Sequence, residues 1–197
     1  MGARDDRAAV AVAGLLSFAA MLDMNVVNLA LPAVAGSFAV DPRAAQWVVL
    51  GYAVPAVALL LPAGRWLDGV PLRPAVLLGV TGFGLANVLA VLAPTLPALV
   101  GLRFLQGCAG AVVMVLMPVL AAVAVAPQRR GRAMAVPATA GPIGGVAGPA
   151  LGGPLIDLVG WRSVFVPVVL VCVLAGWLLL RHARVPGGRL TRPAGRR

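Results

Sequence analysis

The segment AAVAVAGLLSFAAMLDMNVVNLAL, residues 8–31, decides the class of fold. It carries a single ionisable side chain, Asp23, in a run longer than the about 20 apolar residues a helix needs to cross roughly 30 Å of hydrocarbon. Five further stretches of the same kind follow at about 44–67, 72–93, 95–126, 132–158 and 161–182. The connections between them are too short for a soluble domain. Composition agrees: the 197 residues are 61% hydrophobic and 11% charged, with a mean hydropathy of +0.99, whereas soluble domains carry about 25% charged residues. A globule would have to cover its surface with polar side chains this chain does not possess, so the expected class is all-α and polytopic, with six transmembrane helices.

The formal net charge of +10 raises nucleic-acid binding as an alternative, and the placement of the charge decides against it. There is no Lys and no Glu, and all 16 cations are Arg. Thirteen of them, from Arg4 and Arg7 through Arg65, Arg73 and the group Arg129, Arg130 and Arg132 to the C-terminal run, fall in every second gap between apolar stretches. Only Arg43 and Arg162 occupy the alternate gaps. This is the positive-inside pattern, and it predicts both termini on the cytoplasmic side. Residues 1–183 then form the membrane domain. Residues 184–197 are expected to be a basic, disordered cytoplasmic tail attracted to anionic lipid. The first run continues to Leu31 without a clear cleavage site, and Asp5 and Asp6 dilute its basic start, so it is expected to be an uncleaved helix rather than a signal peptide.

Chemistry-bearing motifs are scarce. Cys108 and Cys172 lie in apolar runs and form no CxxC or zinc-spaced cluster, so they read as small buried hydrophobes, and no metal site is expected. His182, beside Arg181, reads as an interfacial polar residue. No HExxH, nucleophile elbow or phosphate-binding glycine loop is present, so an enzyme is not expected.

Ionisable groups inside a span are costly and are functional candidates by default. Two qualify. Asp23 lies about 15 residues, roughly 22 Å, into the first run, and Arg103 about 8 residues, roughly 12 Å, into the fourth, which enters from the opposite side. They therefore share one depth, where a carboxylate and a guanidinium can face a common cavity and offset each other's desolvation. Burial favours the protonated form of a carboxyl and a neighbouring cation its ionised form, the tunable balance that proton coupling needs. The plainer alternatives are a packing hydrogen bond from Asp23 to Asn25 or Asn28, and an Arg103 fixed by backbone carbonyls of an adjacent helix. Being always charged, Arg103 would hold or tune a partner rather than carry the proton.

In the fifth run Gly144, Gly148 and Gly152 recur every four residues, with Gly141, Gly145 and Gly153 beside them and Pro142, Pro149 and Pro154 interleaved. That spacing puts a bare-backbone groove on one helix face. The prolines favour a bend, and the run reads either as ordinary small-residue packing or as the pivot of a rocking bundle.

Taken in order, these residues resemble a known family. Residues 22–32, LDMNVVNLALP, carry an Asp followed by Val-Val-Asn and Ala-Leu-Pro; Gln46, Trp47 and Tyr52 open the second run, and Gly64-Arg65-Trp66-Leu67-Asp68 closes it. Arg103-Phe104-Leu105-Gln106-Gly107 lies in the fourth run, GGVAGPALGG at 144–153 in the fifth, and Trp161, Arg162 and Phe165 start the sixth. The series resembles the N-terminal half of major facilitator superfamily transporters, most like the fourteen-helix drug:proton antiporters. Asn25 stands where that family usually has Thr. Gly69, Pro71 and Leu72 replace the basic, Gly and basic positions of the loop motif, leaving only Arg73, and Val168 replaces an Asn of the sixth helix.

The resemblance implies two inverted three-helix repeats, at about 8–93 and 95–182, and a substrate cavity between two six-helix halves. It implies proton coupling through Asp23 and Arg103, gating by the loop motif with Gly64, Asp68 and Arg73, and a helix-five pivot of Gly144, Gly148, Pro149, Gly152 and Gly153. Asn25, Asn28, Gln106 and Gly107 are cavity or packing candidates. The implied activity is proton-driven efflux of a hydrophobic or cationic drug-like molecule across the cell (plasma or inner) membrane, with the proton gradient as driving force and no cofactor. The expected partners are the lipid bilayer, the small-molecule substrate and a second six-helix half, with no nucleic acid. That half would be the C-terminal part of a longer reading frame, a separate chain, or a second copy in a homodimer. The contrasting class of function is a non-transporting membrane protein, an inert remnant or a subunit that binds a partner through its half-cavity face.

Overall fold

A computed structural model describes residues 6–183, so the expected tail at 184–197 lies outside the described residues. The helices are α1 (Arg7–Phe38), α2 (Pro42–Ala45), α3 (Trp47–Ala58), α4 (Leu60–Gly69), α5 (Leu72–Val91), α6 (Leu96–Val123), α7 (Arg130–Val159) and α8 (Val166–Arg181). Short 3-10 turns, Pro127–Arg129 and Trp161–Phe165, lead into α7 and α8. Among the described residues, and with those turns included, five helices are long and apolar enough to cross a membrane, and the count is six where the bent pair Pro42–Ala58 and Leu60–Gly69 is taken as one span.

Helix starts follow their caps. The Asp6 carboxylate accepts from the Ala9 N–H at 3.0 Å, Asp41 from Arg43 at 2.7 Å, and the Thr95 hydroxyl from Ala98 at 3.4 Å. Each satisfies an amide that a first helical turn leaves unpaired.

One boundary differs from the expectation. The first span does not stop at Leu31 but continues through Pro32 to Phe38. Pro32 is exposed and removes one intrahelical bond only, its own to the Asn28 carbonyl, so the following turns carry on. The helix ends where Ala39 adopts a left-handed conformation (φ 51°) and the Val40 N–H returns to the Ala35 carbonyl at 3.0 Å. The prolines expected to favour a bend in the fifth run, Pro142, Pro149 and Pro154, leave α7 helical from Arg130 to Val159. The second span bends by 48° at Leu59. Pro55 lies four residues before it and Pro62 three after, and the Pro62 ring displaces the Ala58 carbonyl from the helical ladder.

Helix α1 is the hub of the bundle, packed on α7, α8 and α6; α6 in turn packs on α3 and α5, and α5 on α8. The α1–α7 seam uses the expected glycines. A methyl group added at Gly144 would land on the Phe18 carbonyl, one at Gly148 would come within 2.9 Å of the Asn25 Cβ, and one at Gly152 within 2.6 Å of a Val26 methyl. Gly153 points away, with nothing within 4 Å. Two apolar core clusters fill the interior. One contains Leu16, Leu22, Tyr52, Phe83, Leu116 and Leu179. The other contains Val26, Val34, Val48, Leu99, Trp161 and Phe165.

Arg162, one of the two arginines in the alternate gaps, ties three elements together there. Its Nε donates to the Val91 carbonyl at 3.1 Å and an Nη to the Ala93 carbonyl at 3.0 Å, and its guanidinium lies 4.4 Å over the Trp161 ring and 5.8 Å from that of Phe38. It therefore caps the C-terminal end of α5 with a charge of the favourable sign. Arg162→Ala is expected to cost about 1–2 kcal/mol, the worth of two charge-assisted bonds at a half-exposed site. Chemical unfolding in detergent micelles reads this directly, and an unchanged midpoint would show that the three contacts are energetically idle.

Candidate functional site: a buried ion pair between spans one and four

Asp23 sits on the buried stripe of α1 that also holds Leu16, Ala19, Val26 and Ala30. On α6, Leu99, Arg103, Gln106 and Gly110 form the matching stripe at helical spacing. The two meet directly: an Arg103 Nη donates to Asp23 Oδ2 at 2.8 Å. The same Arg103 nitrogen donates to Gln106 Oε1 at 2.6 Å, and Gln106 Nε2 donates to Asp23 Oδ1 at 2.8 Å, closing a triangle of three side chains. Asp23 and Gln106 are 0% exposed and Arg103 is 1% exposed. The pair thus lies inside this bundle, at the boundary between its two apolar clusters, rather than on the wall of an open cavity.

Helix α3 supplies the remaining contacts. Arg103 Nε donates to the Val48 carbonyl at 3.1 Å, and the guanidinium lies 4.6 Å over the ring of Tyr52, the only Tyr in the chain. Tyr52 also meets Phe83 edge-on at 6.3 Å, and its buried hydroxyl finds no hydrogen-bond partner among the described residues. Two glycines make the α3–α6 approach possible. A Cβ at Gly107 would occupy the Tyr52 carbonyl, and one at Gly110 would come within 3.0 Å of the Tyr52 ring. Gly107 is therefore a packing residue. The guanidinium is satisfied by a carboxylate, an amide, a backbone carbonyl and an aromatic face, which is what a desolvated charge requires.

The other candidates lie elsewhere. Asn25 and Asn28 do not reach Asp23; their amides donate to carbonyls of their own helix, Met21 at 2.8 Å and Met24 at 2.7 Å. The alternative of an Asp23–Asn packing bond is thereby replaced by the Arg103–Gln106 network. Gly64 and Asp68 lie on α4 and Arg73 at the start of α5, at the far end of the second span from Val48, with Asp68 and Arg73 exposed. Gly144, Gly148 and Gly152 line the α1 seam, while Pro149, about 100° round α7 from Gly148, is exposed. Among the described residues no three His, Cys, Asp or Glu side chains converge as a metal ligand set. Sequence reasoning overlooked Tyr52 and Val48 as parts of the site, although a single Tyr in an apolar helix, one turn after Val48, is the kind of polar handle that marks a buried partner.

The sequence profile of the Major Facilitator Superfamily matches residues 13–197. The chain belongs to the major facilitator superfamily. Within it, the chain is 33% identical over 174 residues to the drug efflux pump JefA of Mycobacterium tuberculosis, covering 88% of this chain and 34% of JefA. It is 36% identical over 153 residues to the multidrug resistance protein Stp of the same organism, covering 77% and 28% of the two chains. It is 34% identical over 181 residues to the putative multidrug resistance protein MdtD of Salmonella typhi, covering 89% and 38%. The chain thus spans about a third of the length of the curated relatives it matches.

Among solved structures, a bacterial homologue of the human lysosomal transporter Spinster, inward-facing and occupied, superposes with a TM-score of 0.80 at 20% identity, over 96% of this chain and 46% of that one. A POT family transporter gives 0.76 at 13% identity, over 90% and 39%. At these identities the likeness is one of fold. The chain is a multi-pass membrane protein with the fold of about half a major facilitator transporter.

Proposed function

We propose that this major facilitator chain is the six-helix part of a proton-coupled efflux transporter that exports a hydrophobic or cationic drug-like molecule by alternating access. The observation that carries the proposal is the Asp23–Arg103–Gln106 triangle, buried between two apolar core layers. Such a group is expensive to keep in a membrane span and is retained where it works. With Asp23 ionised, α1 and α6 are drawn together by a 2.8 Å ion pair. Protonation of Asp23 removes one of the two charges, and Arg103 keeps the Val48 carbonyl, Gln106 and the Tyr52 face. The two protonation states therefore differ in how tightly α1 is held to α6, the differential interaction a coupled transition needs. The efflux relatives named above favour a drug-like cargo.

Alternating access also calls for a second six-helix body, and the solved transporters to which the chain is similar are more than twice its matched extent. An inverted repeat of 8–93 on 95–182 fits the packing, because span one meets span five as span four meets span two, and span one meets span six as span four meets span three. The Arg asymmetry favours an orientation in a cell membrane with both termini cytoplasmic. The proton gradient serves as driving force and no cofactor is required.

The test is efflux of a cationic dye from energised cells carrying the transporter that contains this chain. Asp23→Asn preserves the shape of the side chain and one of its two acceptor oxygens, and is expected to reduce gradient-driven efflux at least about tenfold, to the level seen with a protonophore, at unchanged membrane abundance. Undiminished efflux by that variant would remove Asp23 from the coupling step.

A further inference from the structure

The Asp23 carboxylate is met by side-chain donors only, an Arg103 Nη at Oδ2 and Gln106 Nε2 at Oδ1. That arrangement suits the ionised form, which accepts at every lone pair. Once Asp23 takes a proton from solvent water, its O–H becomes a donor and needs an acceptor, because a buried donor without one carries its full desolvation penalty. The nearby acceptors are already engaged. The Val48 carbonyl takes Arg103 Nε, and Gln106 Oε1 takes the Arg103 Nη. Among the described residues, two buried side-chain oxygens have no partner, the Tyr52 hydroxyl and Asn87 Oδ1.

Position separates the two. Asn87 lies on α5, which packs mainly on α6 and α8, and its amide nitrogen donates to the Phe83 carbonyl of its own helix at 2.9 Å. Tyr52 lies on α3, which touches both α1 and α6, and the guanidinium that bonds Asp23 also covers its ring. The hydroxyl lies against Gly110, where a Cβ would come within 3.0 Å of it. Tyr52 is 2% exposed, and nothing in the described state uses its oxygen. A phenylalanine would keep the edge contact with Phe83 and offer Arg103 the same kind of aromatic face, without the cost of an orphaned hydroxyl.

We propose that the Tyr52 hydroxyl accepts the hydrogen bond that neutral Asp23 donates, so that each protonation state has its own partner, Arg103 for the carboxylate and Tyr52 for the acid. The inference rests on the reading of Asp23 as the proton-coupling residue. The proton stays on Asp23, and Tyr52 keeps its own. Around Asp23, α6 brings Arg103, α3 brings Tyr52, and α8 brings Cys172, which shares a core cluster with Tyr52 and Leu22. The charged side chains of the other packed helices, Arg7, Arg73, Arg130, Arg132, Asp157 and Arg181, sit in first or last turns. Arg43 is exposed, and Arg162 is bound to the Val91 and Ala93 carbonyls.

The experiment is infrared difference spectroscopy of the purified full chain in detergent micelles through a pH titration, for the wild type, Asp23→Asn and Tyr52→Phe. The carboxylic-acid C=O band that Asp23→Asn abolishes belongs to neutral Asp23. In Tyr52→Phe that band is expected at higher wavenumber, as for a carboxyl with one hydrogen bond fewer. Thermal unfolding of the same samples is expected to change order with pH. Where the band is absent, Tyr52→Phe unfolds at or above the wild-type midpoint, having shed an idle hydroxyl. Where it is present, the folded-to-unfolded ratio of Tyr52→Phe falls below that of the wild type by about fivefold, the worth of one buried hydrogen bond. A ring that only packs, or a hydroxyl held by enclosed water at every pH, would leave the band in place and shift stability alike at all pH, and that result overturns the proposal. If Tyr52→Phe does not fold, the wild type gives the reading without a substitution, because Tyr52 is the only Tyr in the chain. Its C–O band is expected to shift as the Asp23 band appears, and an unmoved band would overturn the proposal. An Asp23 band absent at every pH would overturn the coupling reading and this inference with it, which sets that failure apart from failure at Tyr52 alone.

Discussion

Arg103→Leu is expected to destabilise the bundle by about 3–5 kcal/mol, the penalty for stranding one member of a fully desolvated ion pair. Asp23 and Arg103 are 0% and 1% exposed, so water cannot replace the lost partner without opening the core. Leucine fills part of the volume but offers no donor, which leaves Asp23 with only the Gln106 amide. The double variant Asp23→Asn/Arg103→Leu removes the charge as well, and is expected to recover more than half of the loss, because a neutral amide at position 23 still pairs with Gln106. The comparison is made by thermal or denaturant unfolding in one detergent, with the two single variants and the double forming a cycle. If Arg103→Leu alone unfolds at the wild-type midpoint, the pair is not the desolvated contact its geometry describes. A double variant no better than Arg103→Leu would place the cost in lost packing over Tyr52 and Val48 instead of in the charge.

Gly144→Ala is the second large effect. An added methyl there meets the Phe18 carbonyl, which is backbone and cannot rotate aside, so α1 and α7 have to separate along their seam. The expected cost is about 3 kcal/mol, at the upper end for overpacking because the obstacle is rigid. Gly153→Ala is the internal control. Its methyl would meet nothing within 4 Å, and in a helix alanine is preferred to glycine by about 1 kcal/mol, so that variant should be neutral or slightly stabilised. Equal midpoints for the two variants would show that the seam is not closely packed. Transport assays on the same pair separate packing from mechanism, since Gly153→Ala alters the fifth-helix motif without touching α1.

The six spans were legible because unbroken apolar runs of helical crossing length have few other readings. Their ends were less so. The first span was expected to end near Leu31, yet α1 continues through Pro32 to Phe38, and α7 stays helical through Pro142, Pro149 and Pro154. The break came where Pro55 and Pro62 bracket Leu59, two prolines each removing a rung within two turns of one another. Depth arithmetic put Asp23 and Arg103 at one level, and the structure places them in contact. That they are enclosed inside the bundle was not legible, because enclosure depends on which helices touch. Periodicity gives a face but not its neighbour, so Val48 and Tyr52 became part of the site only through the α3–α6 approach at Gly107 and Gly110. Helical geometry alone sets both asparagines apart from Asp23. At about 100° per residue, positions 25 and 28 project roughly 200° and 140° away from position 23, on the far side of α1.

The glycine seam limits the motions open to α1. On one side the helix is held to α6 by the Asp23–Arg103 ion pair. On the other it rests on α7 through bare backbone, already so close that no approach is left and any retreat forfeits dispersion contacts along the whole interface. The Ser17 hydroxyl also donates to the Pro137 carbonyl at 2.7 Å, so the seam opposes sliding as well as spreading, and α1 and α7 are held together as one pair.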